Sequence, residues 1–588
     1  MKVTLLLLLA AAAVHGQQPF DRLCTACHGE DARGSAQGPG LANNARVAAK
    51  SAEQLRDYLE HGNPNAGMPA FGDLPAADLK LLVSYLRRIN NDTILAPPPA
   101  TGPRRTAWPD AKPGDWLTYN GSESGNRYSP LKQIDTGNVG RLKLQWVFPI
   151  PYFGLEVTPL EADGVMYVSG PNQVLALDAM NGSLLWQYSR PASRGLVGDA
   201  KLGTNRGVAI LRDKVFFVTD NARLLALDRG TGTLLWDVAM APDMHGEHHT
   251  YGGTVAPLVV NDLVMAGVAG GDHGMRGFVA AYRPNDGSVA WRHWTVPRAG
   301  EPGIETWTGK EPLTGGGSTW LTGSYDAASD TLYWATGNPW PDGDDRDRPG
   351  DNLYTNCVLA LSPKSGELKW HYQFTPHDLR DRDATEPNVL VDTDYRGKAS
   401  KLLLHADRNG FFYVLDRLNG HVLMAQPFLR RVDWAKSIGA DGRPVVTDPR
   451  GCPSDAANWD ATAFSPLTRL YYVIALEECT GKPTGYPDQT GQRYLRALNI
   501  ETGAIVWEVA QPGPARAKTW SGVLATGGGL LFYGQPNGNF AAVDQRTGKT
   551  LWLFPTNVRM KASPMTFEHG GKQYIAVAAG PNILCFGL

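Results

Sequence analysis

Ala176-Leu177-Asp178-Ala179-Met180-Asn181-Gly182-Ser183-Leu184-Leu185-Trp186 is one copy of a pattern that recurs along the chain. Ala-x-Asp is followed four positions later by Gly, and four beyond that by Trp. Clear copies follow at 226–236, 281–291, 360–370, 497–507 and 542–552. At 414–424 Met424 takes the Trp place, and 135–146 is a degenerate first copy, which makes eight. Apolar residues alternate on either side of a turn such as Asn-Gly or Thr-Gly, the mark of a hairpin. Runs such as Val165-Met166-Tyr167-Val168 and Val215-Phe216-Phe217-Val218 supply strands ahead of the hairpins. Four short strands repeating at roughly 40–50 residues predict an all-β, eight-bladed propeller over 108–588. An indole at one fixed place per repeat is expected to pack blade against blade. Trp146, Trp186, Trp236, Trp291, Trp370, Trp507 and Trp552 are therefore assigned to packing and none of them to chemistry. The 79 positions from Ala281 to Ala360 and the 83 from Val414 to Ala497 predict long inserted loops. Such loops on a rigid scaffold tend to carry function.

Composition narrows the classes. The 588 residues include 66 Gly and 42 Pro without a three-residue period, which excludes collagen. Hydrophobic residues are 42%, enough for a core. A formal net charge of −2 argues against a nucleic-acid partner, which needs a basic face. Six Cys in this length are no disulfide scaffold.

The amino end opens on Lys2 and an apolar run of about eleven residues, Val3 to Val14. That is too short to span a bilayer, which needs roughly 20 apolar residues. It reads as a secretory signal peptide over 1–16, so a periplasmic mature chain without a transmembrane segment is expected. Cys24-Thr25-Ala26-Cys27-His28 follows, the spacing of covalent haem c attachment with His28 as an iron ligand. Met68 is the expected second axial ligand and His61 its competitor. Apolar residues at 79, 82, 83 and 86 predict a helix over 76–89 that closes the haem pocket. The segment 17–95 resembles a class I cytochrome c module, a small all-α domain. The Pro-rich stretch 96–107 reads as a linker.

The propeller region resembles the quinoprotein alcohol dehydrogenase family, whose members bind pyrroloquinoline quinone (PQQ) and a metal. The resemblance rests on ordered motifs that include TPLEADGVMYV, NRGVA, GGGSTW, TGNP, TPHD, DRNGFFYVLDR and WSGVLAT. It implies that Arg206 and Arg408 contact the quinone and that Trp320 floors it. It also places Glu156, Thr254, Gly270, Gly271, Asn458 and Trp520 at cofactor contacts. Asp272, Asn338 and Asp381 match the metal ligands, Asp381 also being the catalytic base. Asp383, two positions on, resembles the signature of lanthanide-using members, so the expected ion is Ca²⁺ or a lanthanide. Asp272 stands where Glu is usual, and Arg382 where an aromatic is usual. A salt-bridged surface loop is the plain alternative for Asp378–Glu386. Cys452 and Cys479 match a family disulfide. Ala200 and Lys201 replace the adjacent Cys pair of methanol- and ethanol-type members.

The resemblance implies a dehydrogenase that oxidises a small alcohol to an aldehyde or ketone. Asp381 takes the hydroxyl proton, a metal acts on the quinone as Lewis acid, and electrons pass to the tethered haem. An external acceptor, a cytochrome or respiratory-chain component, is expected. Polymer or sugar and polyol dehydrogenases, and a non-enzymatic scaffold, are the alternatives. Cys357 and Cys585 sit in apolar strands and are expected as buried free thiols. His245-Gly246-Glu247-His248-His249 lacks HExxH spacing and is expected as a solvent-facing or channel loop.

Overall fold

The computed structural model describes residues 18–29, 32, 41, 47, 50–64, 68–90, 112, 114–152, 154–193, 195–241, 251–307, 315–453, 455–477, 479, 492–512 and 521–588. The chain divides into two compact units, Met1–Thr101 and Gly102–Leu588. The signal-like segment 1–16, the linker 96–107, the histidine cluster at 245–249 and Trp520 lie outside the described residues.

The first unit is helical: α1 (Gln18–Leu23), α2 (Thr25–His28), α3 (Ala52–His61) and α4 (Ala76–Asn90). Ser51 starts α3 through a capping box, accepting from the Gln54 amide while the Gln54 side chain accepts from its own. The expected helix is present as α4, and Leu79, Leu82, Val83 and Leu86 all turn inward. They pack with Phe20, Leu55 and Leu59, and Met68 lies against this cluster.

Among the described residues the second unit carries eight blades, each of four antiparallel strands, with Tyr128–Ser129 added in parallel to the blade at 524–555 and a separate two-stranded hairpin at 435–446. Seven are continuous in sequence: 160–189, 208–239, 258–294, 324–373, 389–427, 463–510 and 524–555. The eighth combines three strands of 565–587 with Lys143–Pro149 from the other end of the unit. The degenerate copy at 135–146 is thus not a blade of its own. It supplies the outermost strand of the last blade and so closes the ring. Among the described residues no helix is long and apolar enough to cross a membrane.

Pairing explains the repeat. The Ala of each clear copy faces its Trp across the hairpin, as Ala176 faces Trp186 and Ala226 faces Trp236. In the eighth blade Cys585 takes the Ala place opposite Trp146, so its buried free thiol is a small core residue. Cys357 is likewise buried and free. The Asp closes the turn: Asp178 Oδ1 accepts from the amides of Met180 at 2.8 Å and Asn181 at 3.2 Å. The Gly serves the neighbouring blade. A Cβ on Gly232 would lie 2.4 Å from the Trp186 ring, and the residue holds φ +72°. Gly182 meets Trp146, Gly287 meets Trp236, Gly366 meets Trp291, Gly420 meets Trp370 and Gly548 meets Trp507 in the same way. The indoles also tie blades by hydrogen bonds, Trp186 Nε1 donating to the Arg229 carbonyl at 2.9 Å and Trp291 Nε1 to that of Pro363 at 2.8 Å. Trp552 packs instead on Phe540 and Phe586.

Candidate functional site

Loops between blade strands bring the chemistry-bearing residues together. Arg206 precedes the strand Val208–Leu211, and its guanidinium is fully buried. It lies over Trp320 at 4.7 Å and over Trp459 at 4.9 Å from the ring centroids. Glu156 Oε2 pairs with its Nη2 at 2.9 Å, and Lys561 Nζ reaches Glu156 Oε1 at 3.4 Å. Burial raises the Glu156 carboxyl while Arg206 pulls it back down. Thr254 joins through its backbone carbonyl, which accepts from Arg206 Nη1 at 3.4 Å, and its hydroxyl donates to the Trp320 carbonyl. Arg206 Nε is buried without a hydrogen-bond acceptor, while Nη2 is taken up by Glu156. Two indoles, two cations and a buried donor still lacking an acceptor suit a flat, anionic, carbonyl-bearing molecule such as PQQ.

Beside this group lies an oxygen cluster. Asp272 sits in the tight turn Gly271–His273, flanked by Gly270 and Gly274 at φ 113° and 84°. The Asn338 side chain lies 2.9 Å from Asp272 Oδ1 and 3.1 Å from Asp383 Oδ1. Its amide has one face that meets only acceptors there, an arrangement that either a turned amide or a cation among the oxygens satisfies. Gly337 is the residue that admits Asp383, since a Cβ there would lie 2.3 Å from Asp383 Oδ1. Asp383 Oδ1 accepts from the Asn338 amide at 2.7 Å, and Oδ2 from Trp320 Nε1 at 3.1 Å. The partial enclosure of Asp272, and after it the Asp383 carboxylate, raise its carboxyl to about 7. Partial enclosure likewise raises Asp381, against the pull of Arg408. Carboxylates crowded around a single guanidinium, together with an amide oxygen, are the donor set of a hard cation. The shorter Asp272 side chain reaches the cluster despite standing in the place of a Glu.

Asp383 ties the two groups together, its Oδ2 accepting from Trp320 Nε1 at 3.1 Å and from Arg408 Nη2 at 3.3 Å. Arg408 also donates to the Asp381 carbonyl at 3.0 Å and faces Asp381 Oδ1 at 3.5 Å. Asp381 itself holds φ +55°, in the left-handed region, with its side chain half exposed. The surface-loop alternative for this segment is overturned. Arg382 is buried, lies over Trp434 at 4.9 Å and donates to the carbonyls of Pro449, Gly451 and Pro453. It clamps Asp381 and Asp383 to the loop that Cys452–Cys479 staples, a disulfide with a Cα separation of 5.5 Å. Asn458 reaches Arg408 only by way of Asp455, to which it donates at 3.1 Å. Where the adjacent Cys pair is replaced, Ala200 packs onto Gly252 and Lys201 is exposed. Sequence reasoning did not find Trp459, Lys561 or Glu386. Only the adjacency of Trp459 to Asn458 pointed toward any of them.

In the helical unit the amides of Cys27 and His28 both donate to the Cys24 carbonyl, so one turn gathers both thiols and the imidazole. His28 and Cys24 are buried and Cys27 half-buried. Met68 lies against the apolar cluster, whereas His61 is 75% exposed on the last turn of α3, its Nδ1 beside the Asp57 carbonyl. The donor set and apolar wall suit a haem c held by His28 and Met68, not by His61.

Comparison with known proteins places the chain in a family. The family model for the glucose/ethanol/alcohol dehydrogenase β-propeller domain, PQQ, matches residues 116–427 and 513–575. A second, for cytochrome c oxidase, cbb3-type, subunit III, matches 11–86. Quinohemoprotein alcohol dehydrogenase ADH IIB of Pseudomonas putida is 36% identical over 79% of this chain and 73% of its own. A lanthanide-dependent methanol dehydrogenase of Methylacidiphilum fumariolicum is 36% identical over 80% of this chain and 85% of its own. Among solved structures, the quinohemoprotein alcohol dehydrogenase of Comamonas testosteroni superposes with a TM-score of 0.74 at 31% identity, covering 81% of both chains. A europium-containing methanol dehydrogenase gives 0.72 at 31% identity, over 81% of this chain and 98% of that one.

Proposed function

This chain belongs to the PQQ-dependent alcohol dehydrogenase family, and on that premise we propose that it is a quinohaemoprotein that oxidises a small alcohol to an aldehyde or ketone. The observation that carries the reading is the junction at Asp383, where the Arg206–Trp320 group meets the Asp272–Asn338–Asp383 cluster, with Arg408 holding Asp381 beside it. Bound PQQ supplies the hydride acceptor, the metal a Lewis acid and haem c a one-electron carrier.

The chain's own residues do the rest. Arg206 and Lys561 neutralise the quinone carboxylates, and Trp320 and Trp459 wall its plane. Asp272, Asn338 and Asp383 hold Ca²⁺ or a lanthanide ion, with Asp381 alongside. Asp381 accepts the substrate hydroxyl proton as general base. Its half-exposed side chain is reachable, and Arg408 fixes it from behind. Cys24, Cys27, His28 and Met68 bind the haem. The haem motif and the Cys452–Cys479 disulfide support an oxidising compartment, the periplasm. Electrons then leave to an external acceptor.

Titrating the quinone-free protein with PQQ in parallel Ca²⁺ and La³⁺ series tests the reading. Alcohol-dependent haem reduction is expected only with quinone and ion present. Asp383→Ala is expected to abolish dependence on La³⁺. La³⁺ dependence that survives this change would remove Asp383 from the ion site.

A further inference from the structure

A second charged group lies against the Nε of Arg408. Glu386 is 2% exposed, and neither of its carboxylate oxygens has a hydrogen-bond partner. Its Oε1 lies 3.5 Å from Arg408 Nε, and that Nε–H also has no acceptor. Its Oε2 lies 3.9 Å from His405 Nε2, which reaches Asp407 Oδ2 at 3.2 Å. Phe374 stacks on the His405 ring at 4.2 Å, and Asp407 Oδ1 accepts from the Asn409 amide at 2.8 Å. His405 and Asp407 are themselves fully buried. The strand Lys398–Ala406 and the turn after it thus carry His405, Asp407 and Arg408 within four consecutive residues.

A buried carboxylate without hydrogen bonds is costly to keep. Here an acceptor and a donor, both unsatisfied and both charged, face each other just beyond hydrogen-bond length. The two ends of the guanidinium are divided: Nη1 and Nη2 face Asp381 and Asp383, and Nε faces Glu386. We infer that Glu386 is a positioning residue for Arg408, the counter-carboxylate that sets the guanidinium's tilt toward the quinone, with His405 and Asp407 holding Glu386 in place. Glu386 touches neither the oxygen cluster nor Asp381; it acts through Arg408. Asp455, 3.8 Å from the same Nε, is partly exposed and serves as the weaker brace. Because a guanidinium is flat and offers donors in fixed directions, loss of the Nε anchor re-aims both other nitrogens.

The inference rests on the PQQ reading, and its test separates the two. Quinone-free wild type, Glu386→Gln and Glu386→Asp are titrated with PQQ, followed by tryptophan fluorescence. kcat and KM for the alcohol, and the thermal midpoint, are measured on the same preparations. Glu386→Gln is expected to weaken quinone binding about tenfold and to lower kcat about tenfold or more, with KM for the alcohol within about twofold. Glu386→Asp, which keeps the charge, is expected to recover part of both losses and is the deciding variant if the Gln form does not fold. Losses that follow the thermal midpoint, with Asp no better than Gln, would make Glu386 an ordinary core residue and overturn the inference. So would bound zinc in the wild type that disappears in His405→Gln, which would make the group a metal site. If wild type takes up no quinone, the functional reading itself fails. If wild type loads quinone and Glu386→Gln equals it in affinity and turnover, the inference alone falls.

Discussion

At the scale of single residues, charge placement decides the chemistry. Asp381 is the one carboxylate of the cluster that combines a left-handed backbone, a half-exposed side chain and a guanidinium behind it. Asp381→Asn should lower kcat by about 10² to 10⁴, the worth of a general base, and leave the quinone dissociation constant within a few-fold. Rapid-mixing turnover beside fluorescence titration checks both halves. Glu161 gives a second residue-scale outcome, one of stability. It is buried, accepts from the Gly164 amide at 2.7 Å with one oxygen, and leaves the other without a partner. Burial, with Asp115 and Asp163 adding to it, raises its carboxyl from 4.5 to about 8. The fold therefore favours the protonated form. That contribution is complete below about 4.5 and is lost as pH rises through about 8. Glu161→Gln should be more stable than wild type at pH 9, by at most roughly 5 kcal/mol, and gain nothing at pH 4. Denaturant melts at the two pH values decide it.

At the scale of elements, the eleven-residue repeat is a two-blade device. Its Ala and Trp pair within a hairpin, while its Gly receives the Trp of the blade before. Trp186→Ala should cost roughly 3–5 kcal/mol, as for a large buried aromatic. Gly232→Ala should cost about 2 kcal/mol or more, from the positive φ and from the collision with the Trp186 ring. A thermal or denaturant series on the two variants and the pair should show non-additivity, because both remove one contact. The repeat made the blades legible in the sequence, since each of its residues answers a local geometric demand. The degenerate copy at 135–146 showed its place in the count and not its partner. Lys143–Pro149 pairs with Asn582–Gly587, and a contact between strands more than four hundred residues apart leaves no mark in local pattern. The same holds for the site. Motif residues such as Arg206, Asn338 and Arg408 were legible one by one. Lys561 arrives from a distant loop, and Trp459 and Glu386, though close in sequence to Asn458 and Asp383, matter through contacts with Arg206 and Arg408 that no spacing signals. The surface-loop alternative fails at Arg382: a run of alternating charges reads as solvated, whereas its guanidinium finds three carbonyls in the core.

At the scale of the whole molecule, one ring holds the site because its two ends meet in a single blade. Removing 143–149 would leave the strand Asn582–Gly587 as a bare edge and take Trp146 from its seat on Gly182. Such a chain should lose cooperative unfolding and self-associate, which calorimetry and size-exclusion chromatography would register. Alcohol oxidation in the propeller is expected to deliver electrons to the haem of the same chain. Mixing full-length protein, loaded with PQQ and ion, with a primary alcohol under anaerobic stopped flow and following the haem absorbance measures this. Haem reduction is expected to require quinone and alcohol, at a rate that does not change with protein concentration. A haem that stays oxidised in quinone-loaded protein with every alcohol offered would contradict it.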